Sequence, residues 1–234
     1  MTKNLGDNKY FILKKKKKIL FQALNMSKEQ ILKKETYINN YQIDSIYSLL
    51  ENFLDKNIIE IEKTLKNFVK EIYIIFDSDL FFSVPLSIKC NYQKKNFKLE
   101  KINDIFLGVK NQYNKYSPKD QIIHMVIDNH SLKEIDRNLL KKEINNQELV
   151  IQVNFICLKD QIAMNLKKIF SDYEITVKKI LCFSYLKNFN DFNENDIFQL
   201  ANNNLNGLYK NEVYITSKNS DKLGIFEKFF NFFR

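Results

Sequence analysis

Gln121-Ile-Ile-His-Met-Val-Ile127 and Leu149-Val-Ile-Gln-Val-Asn-Phe-Ile-Cys-Leu158 are the stretches on which the fold turns. Each is a run of β-branched and large apolar residues of strand length bounded by polar sequence, so each predicts a strand with at least one buried face. Upstream, residues 81–90 read as another strand, and Pro85 inside it marks a sheet edge or a bulge because proline has no N–H for the ladder. Between them Ile102, Ile105, Phe106 and Val109 recur at helical spacing over residues 99–113, and Ser117-Pro118 stops that helix. Downstream, Ile162, Leu166 and Ile169 predict a helix over 161–170, and residues 175–183 supply a closing strand. The order strand, helix, strand, strand, helix, strand over 79–186 predicts a small split αβ sandwich.

The first 78 residues predict a second αβ layer. Tyr10-Phe-Ile-Leu13 and Ile19-Leu-Phe-Gln-Ala-Leu24 flank Lys14 to Lys18, the pattern of a hairpin with a basic turn, and residues 31–38 are a third strand. The five lysines also offer a phosphate patch, although a solvated turn is the commoner use of such a run. Two helices follow, one through Ile43, Ile46, Tyr47, Leu50, Phe53 and Leu54 and one through Ile58, Ile61, Leu65, Phe68 and Val69. Ile72-Tyr-Ile-Ile-Phe76 is a continuous apolar run and predicts a strand buried on both faces, closed by Asp77-Ser-Asp79. The fold class is therefore α/β (α+β): small mixed sheets packed with helices.

From 187 to 221 asparagine dominates and the apolar pattern weakens; the stretch reads mostly as linker, with a short helix near 197–205 and a strand-like Val213-Tyr-Ile215. Residues 222–234 then restore a helical pattern. Phe226, Phe229, Phe230 and Phe233 share one face, Leu223 and Ile225 lie at its entry, and Phe232 widens it. Lys222, Glu227, Lys228, Asn231 and Arg234 form the polar side. Thirteen residues cannot span a bilayer, but an aromatic face with a basic edge suits a helix lying among lipid headgroups. The membrane-binding set is Leu223, Ile225, Phe226, Lys228, Phe229, Phe230, Phe232, Phe233 and Arg234. The plain alternative is a terminal helix docked on protein.

Of 234 residues, 44% are hydrophobic and 14% aromatic, enough for a real core, and the formal charge is +9. That charge suits nucleic acid or an anionic membrane surface. Lysine supplies nearly all of it, whereas arginine, the better fork for phosphate and base edges, stands only at Arg137 and Arg234. Most aromatic residues fall at core-pattern positions, so a nucleic-acid-binding module is the weaker reading. Cys90, Cys157 and Cys182 are an odd, isolated set, which argues against a disulfide framework and for a reducing compartment. No apolar run approaches 18 residues, and the first residues lack the apolar core of a secretory signal.

The order of elements from 81 to 185, the polar linker and the amphipathic segment together resemble the bacterial cell-division protein FtsA, of the actin-like ATPase superfamily. Ile122-Ile-His-Met-Val-Ile127 resembles the strand leading into the central hairpin of that family's inserted subdomain 1C. Residues 149–158, 161–170, Asp172-Tyr-Glu-Ile-Thr-Val177 and Ile180-Leu-Cys-Phe-Ser-Tyr185 resemble the way 1C closes and returns. The resemblance makes 1–78 a 1A-like layer, 79–186 a 1C-like sandwich, 187–221 a linker and 222–234 a membrane-targeting helix. Pilus-assembly relatives share this layout. The departures are specific. The family grips nucleotide with Asp-x-Gly loops, and no Asp-x-Gly occurs here; Gly6, Gly108, Gly207 and Gly224 are dispersed. About 50 residues follow Tyr185, too few for a second lobe, and with that lobe goes the ground for expecting FtsZ as a partner.

No catalytic constellation is found, and no catalytic, cofactor-binding or metal-ligating residue is assigned. Ser83, Ser131 and Ser184 sit in no nucleophile-elbow pattern, His124 and His130 lack ligand spacing, and Asp77 with Asp79 is better explained as a turn than as a cation pair. The reading that results is a non-catalytic division protein on the cytoplasmic face of the inner membrane. Its amphipathic helix would dock on anionic lipid while the αβ body recruits division partners or self-associates. The alternatives are a pilus-assembly-type actin-like scaffold and a lysine-rich nucleic-acid-binding module.

Overall fold

β1 (Lys9–Lys15) and β2 (Lys18–Leu24) form the expected antiparallel hairpin, with Lys15 opposite Lys18, and β3 (Gln30–Tyr37) extends it. The computed structural model describes residues 8–15, 18–25, 27–37, 46–91, 99–131, 133, 135, 148–188 and 197–213, and the chain divides into two units. The first unit is built on this hairpin and takes residues 1–81 and 159–205; the second takes 82–158 and 206–234.

In the first unit the sheet order is β3-β2-β1-β4-β8, where β4 is Glu71–Phe76 and β8 is Thr176–Cys182. β1, β4 and β8 run parallel. Helix α1 (Ile46–Leu65) covers the face that carries Ile12, Phe21 and Lys34, and Lys34 Nζ reaches Glu60 on it at 2.8 Å. Helix α3 (Asp160–Ser171) packs beside α1. The opposite face, with Phe11 and Gln22, receives α5 (Ile197–Leu205), whose Phe198 ring meets Phe11 edge-on at 6.1 Å. A sheet covered on both sides needs apolar residues at successive positions, which is why Ile74, Ile75 and Phe76 are all buried.

Three sequence expectations change here. The two helices drawn over 43–69 are one: Leu50, Phe53, Leu54, Ile58 and Ile61 keep a single buried stripe, and Asn57 continues the helix by donating its side-chain amide to the Phe53 carbonyl at 2.8 Å. Lys66, at φ 52°, ends it. The second change is topological. Residues 159–186, expected to close the second unit, belong to the first, because β8 pairs in parallel with β4 from Glu71↔Thr176 to Phe76↔Cys182. Nor is 187–221 simply a linker. Just before it the short helix α4 (Phe183–Lys187) buries Phe183, Tyr185 and Leu186, and within it α5 buries Ile197, Phe198, Leu200 and Ala201. Its polar residues tie it down: Lys9 donates to Asn202 at 2.8 Å, Lys28 to Asn203 at 3.2 Å, and Gln199 to the Lys28 carbonyl at 2.6 Å.

The second unit is a three-stranded sheet of order β5-β7-β6: β5 is Phe82–Asn91, β6 Asp120–Ile127 and β7 Glu148–Lys159. β5 is an edge strand, as Pro85 predicted, and pairs antiparallel with β7. Along β7, Leu149, Ile151, Val153, Phe155 and Cys157 point inward while Val150 and Gln152 do not, the alternation of a sheet with one buried face. α2 (Leu99–Tyr116) covers that face with Ile102 and Phe106, and the Tyr113 ring meets Phe155 edge-on at 5.3 Å.

Candidate functional site

In open α/β sheets, ligands gather at the carboxyl ends of the parallel strands. Here those ends adjoin in register: Lys14 stands opposite Phe76, and Phe76 opposite Cys182. The Asp77 N–H donates to the Lys14 carbonyl at 3.1 Å, so the backbone just past β4 is tied to β1. The Lys15 ammonium lies 4.8 Å from the centre of the Phe183 ring, a cation–π contact. Burial holds the Lys14 ammonium below the usual lysine range, with Asp77 pulling the other way. Cys182 Sγ is 3.1 Å from Ser184 Oγ, but the cysteine is almost wholly buried and offers no accessible nucleophile. Asp77 and Asp79 sit at the strand end where the sequence placed them, and among the described residues no group of His, Cys, Asp and Glu is gathered to hold a metal.

A different constellation occupies the second unit. Residues 211–213 add to the free edge of β6: the Ile127 N–H donates to the Asn211 carbonyl at 2.8 Å, Val126 bridges Glu212, and the Val213 N–H donates to the Met125 carbonyl at 2.8 Å. Val213 enters the core with Met125, Ile127 and Phe106. Gly207, at φ 70°, takes the left-handed turn on the way in. Most consequential is the pair that this register creates: His124 Nδ1 lies 2.8 Å from Glu212 Oε1, with both residues buried. Burial, then the Glu212 carboxylate, pushes the Tyr209 hydroxyl up to about 12. Glu212 is the acidic partner that His124 lacked in the sequence. It stands 88 residues away, and only the strand-like Val213-Tyr-Ile215 hinted that this stretch pairs with a sheet.

A third feature ties the start of a helical turn to the same sheet. Asp128 Oδ1 accepts from the N–H groups of His130 at 2.8 Å and Ser131 at 3.2 Å, Oδ2 accepts from the Ser131 hydroxyl at 2.5 Å, and that hydroxyl oxygen accepts from the Gln152 N–H at 2.8 Å. Ser131 is thus a buried structural link, not a nucleophile. Leu223, Ile225, Phe226, Lys228, Phe229, Phe230, Phe232, Phe233 and Arg234, the expected membrane-binding set, lie outside the described residues. No helix among the described residues is long and apolar enough to cross a membrane.

No protein-family model matches the chain, and no curated protein matches it either. Similar solved structures exist. A Bacteroides thetaiotaomicron protein with an actin-like ATPase fold and unknown function is 14% identical, covering 77% of this chain and 53% of its own at TM-score 0.34. The cytoplasmic domain of EpsL, an inner membrane component of the type II secretion system of Vibrio cholerae, is 5% identical over 79% and 61% at 0.38. A PilM–PilN type IV pilus biogenesis complex is 7% identical over 76% and 48% at 0.43. The chain thus spans about half to three fifths of the length of these structures, and at such scores the likeness places no activity or partner on it.

Proposed function

We propose that this chain is a non-catalytic assembly protein of a membrane face, with residues 222–234 as the foot and the two αβ units as the body that binds partners or further copies. The observation that carries the reading is the docking of residues 211–213 onto β6, because it joins the chain leading to the amphipathic segment to a folded core. Eight residues separate Val213 from Lys222, a tether of at most about 30 Å when fully extended. A foot so closely coupled would bring the body to the membrane rather than leave it on a long leash.

Each buried phenylalanine of the foot would contribute about 1.5 to 3 kcal/mol. Each lysine near anionic lipid would add about 1 kcal/mol. One foot is therefore a weak, reversible anchor, and self-association would convert several into firm attachment. Support for a scaffold over a nucleotide hydrolase comes from the strand ends, where Lys15 packs on Phe183 and the Asp77 N–H is already bonded to Lys14. Cell division is the process that the FtsA resemblance suggests; a pilus-assembly scaffold is the alternative. The test is co-sedimentation with anionic liposomes of the full chain, a chain ending at Asp221, and Phe226→Glu with Phe230→Glu. Binding by the full chain alone supports the reading, and equal binding by all three refutes it. A septal position of the tagged protein in its native cell would then select division.

A further inference from the structure

We propose that the outer edge of β3 is where copies of this chain meet: a second copy adds its own β3 antiparallel, about a two-fold axis, and joins the two five-stranded sheets into one. The inference rests on the scaffold reading above and deepens it by naming the surface of self-association. β3 ends the order β3-β2-β1-β4-β8, and among the described residues no strand pairs with its outer side. It is eight residues long, and its Ile31 and Tyr37 are 46% and 65% exposed. An edge of this kind presents unpaired N–H and C=O groups that template another strand unless charge, proline or a bulge blunts it. β3 holds no proline, and its bulge, opposite Ala23 and Leu24, is confined to the start, so residues 32–37 run regularly.

Charge is the remaining guard, and the register decides its sign. A two-fold axis perpendicular to the sheet joins like face to like face. Because side chains alternate along a strand, the axis must then pass between two copies of the same residue. Centred on Lys33 or on Glu35, the pairing sets bare like charges opposite one another, which destabilises a sheet. Centred on Lys34, it sets Lys33 of each copy opposite Glu35 of the other, twice over, and Leu32 opposite Thr36. Beyond these, Tyr37 of each copy falls beside Ile31 of the other, so the two exposed apolar side chains of the edge cover one another. Lys34 does meet its own counterpart, but its ammonium is turned to α1, where the two Glu60 oxygens hold it at 2.9 and 2.8 Å. Glu35 takes Lys18 at 3.0 Å, and a carboxylate with two oxygens has room for a further donor. The edge is thus self-complementary in one register, the condition for a closed two-fold pair.

The experiment is sedimentation equilibrium of the full chain without lipid, carrying Phe226→Glu and Phe230→Glu so that the aromatic segment does not itself bring copies together. The pairing predicts a monomer–dimer equilibrium with Kd of about 10 to 100 μM, as suits a small interface. Lys33→Glu and Glu35→Lys should each weaken the dimer at least about tenfold, since each sets like charges opposite one another at both flanking pairs. An equimolar mixture of these two variants restores opposite charges at both pairs and should dimerise within about threefold of the parent. Lys167→Glu, on α3 at the other side of the sheet, should change nothing. Under mild oxidation Lys34→Cys, on the axis, should give a disulfide-linked dimer and Thr36→Cys should not; Cys90, Cys157 and Cys182 are buried and take no part. A monomer at several hundred micromolar, a Lys33→Glu dimer as strong as the parent, a mixture no stronger than either variant, or equal crosslinking at 34 and 36 overturns the proposal. Liposome binding by a chain that stays monomeric would sink this surface and leave the membrane foot standing, whereas a dimer whose native sequence ignores liposomes would do the reverse.

Discussion

The two sheets bury different things. In the first, β4 is covered on both faces and buries only apolar side chains at Ile72, Ile74, Ile75 and Phe76. In the second, β6 carries His124 into the interior, where Glu212 meets it from a segment far along the chain. Apolar burial is large but undirected: many pairings would bury Ile74 about equally well. A buried His–Glu hydrogen bond is directional, so it adds little net stability yet singles out one register for 211–213. The first sheet is held by quantity, and the second fixes the course of residues 211–213 by specificity.

The sharpest way to break that comparison is to remove one partner. Glu212→Ala should destabilise the protein by about 1 to 3 kcal/mol, because it removes the hydrogen-bond partner of the buried His124 Nδ1. His124→Leu combined with Glu212→Leu should lose far less than the sum of the single changes, measured by chemical denaturation. The first unit supplies the reference. Ile74→Ala creates a cavity in a fully buried strand and should cost about 2 to 5 kcal/mol, with no second substitution that restores it. If the His124 and Glu212 changes add like independent apolar truncations, the contrast between the sheets fails.

The same contrast explains what could be read in the sequence. The elements were legible because their patterns are local: the hairpin, the buried run 72–76, the edge strand with Pro85 and the helix at 197–205 all stand where periodicity placed them. Pairings across long separations were not. β8 lies beside β4 about 100 residues away, and nothing in Thr176 to Cys182 names its partner. The asparagines of 187–205 misled for a different reason. Their side chains fix α5 to the sheet through Asn202 and Asn203, so residues that read as solvated linker act as structural hydrogen-bond partners. His124 was set aside in the sequence as a residue without ligand spacing, and its partner Glu212 was not noticed.

A smaller effect separates charge from capping in the second unit. Burial pushes the Asp128 carboxyl up, but the Ser131 hydroxyl and the N–H groups of Ser131 and His130 outweigh it and hold the carboxyl below the ordinary aspartate range. A folded value below the unfolded one of about 3.9 means stability that is present above that pH and is lost as pH falls through the folded value. Asp128→Ala should cost about 0.5 to 2 kcal/mol at neutral pH. Asp128→Asn should keep much of the cap but flatten the fall in melting temperature between about pH 5 and pH 3. An unchanged acid limb in Asp128→Asn would show that the carboxylate's charge contributes nothing there.

The least effect should appear where the two units solve one backbone problem with different residues. Both need a left-handed position: the second uses Gly207 at φ 70°, whereas the first uses Glu174 at φ 60° just after α3. At Glu174 the chain turns so that the Ile175 N–H reaches the Phe170 carbonyl at 2.9 Å, a helix ending that glycine normally serves. A side chain with a Cβ costs about 1 to 2 kcal/mol in this conformation, and glycine's extra freedom when unfolded returns roughly 0.5 to 1 of it. Glu174→Gly should therefore stabilise the first unit by about 0.5 to 1 kcal/mol, a rise of a few degrees in melting temperature. Gly207→Ala should do the reverse in the second. A fall in melting temperature for Glu174→Gly would mean that the Glu174 side chain makes contacts worth more than its backbone strain, and that this turn is held by its side chain rather than in spite of it.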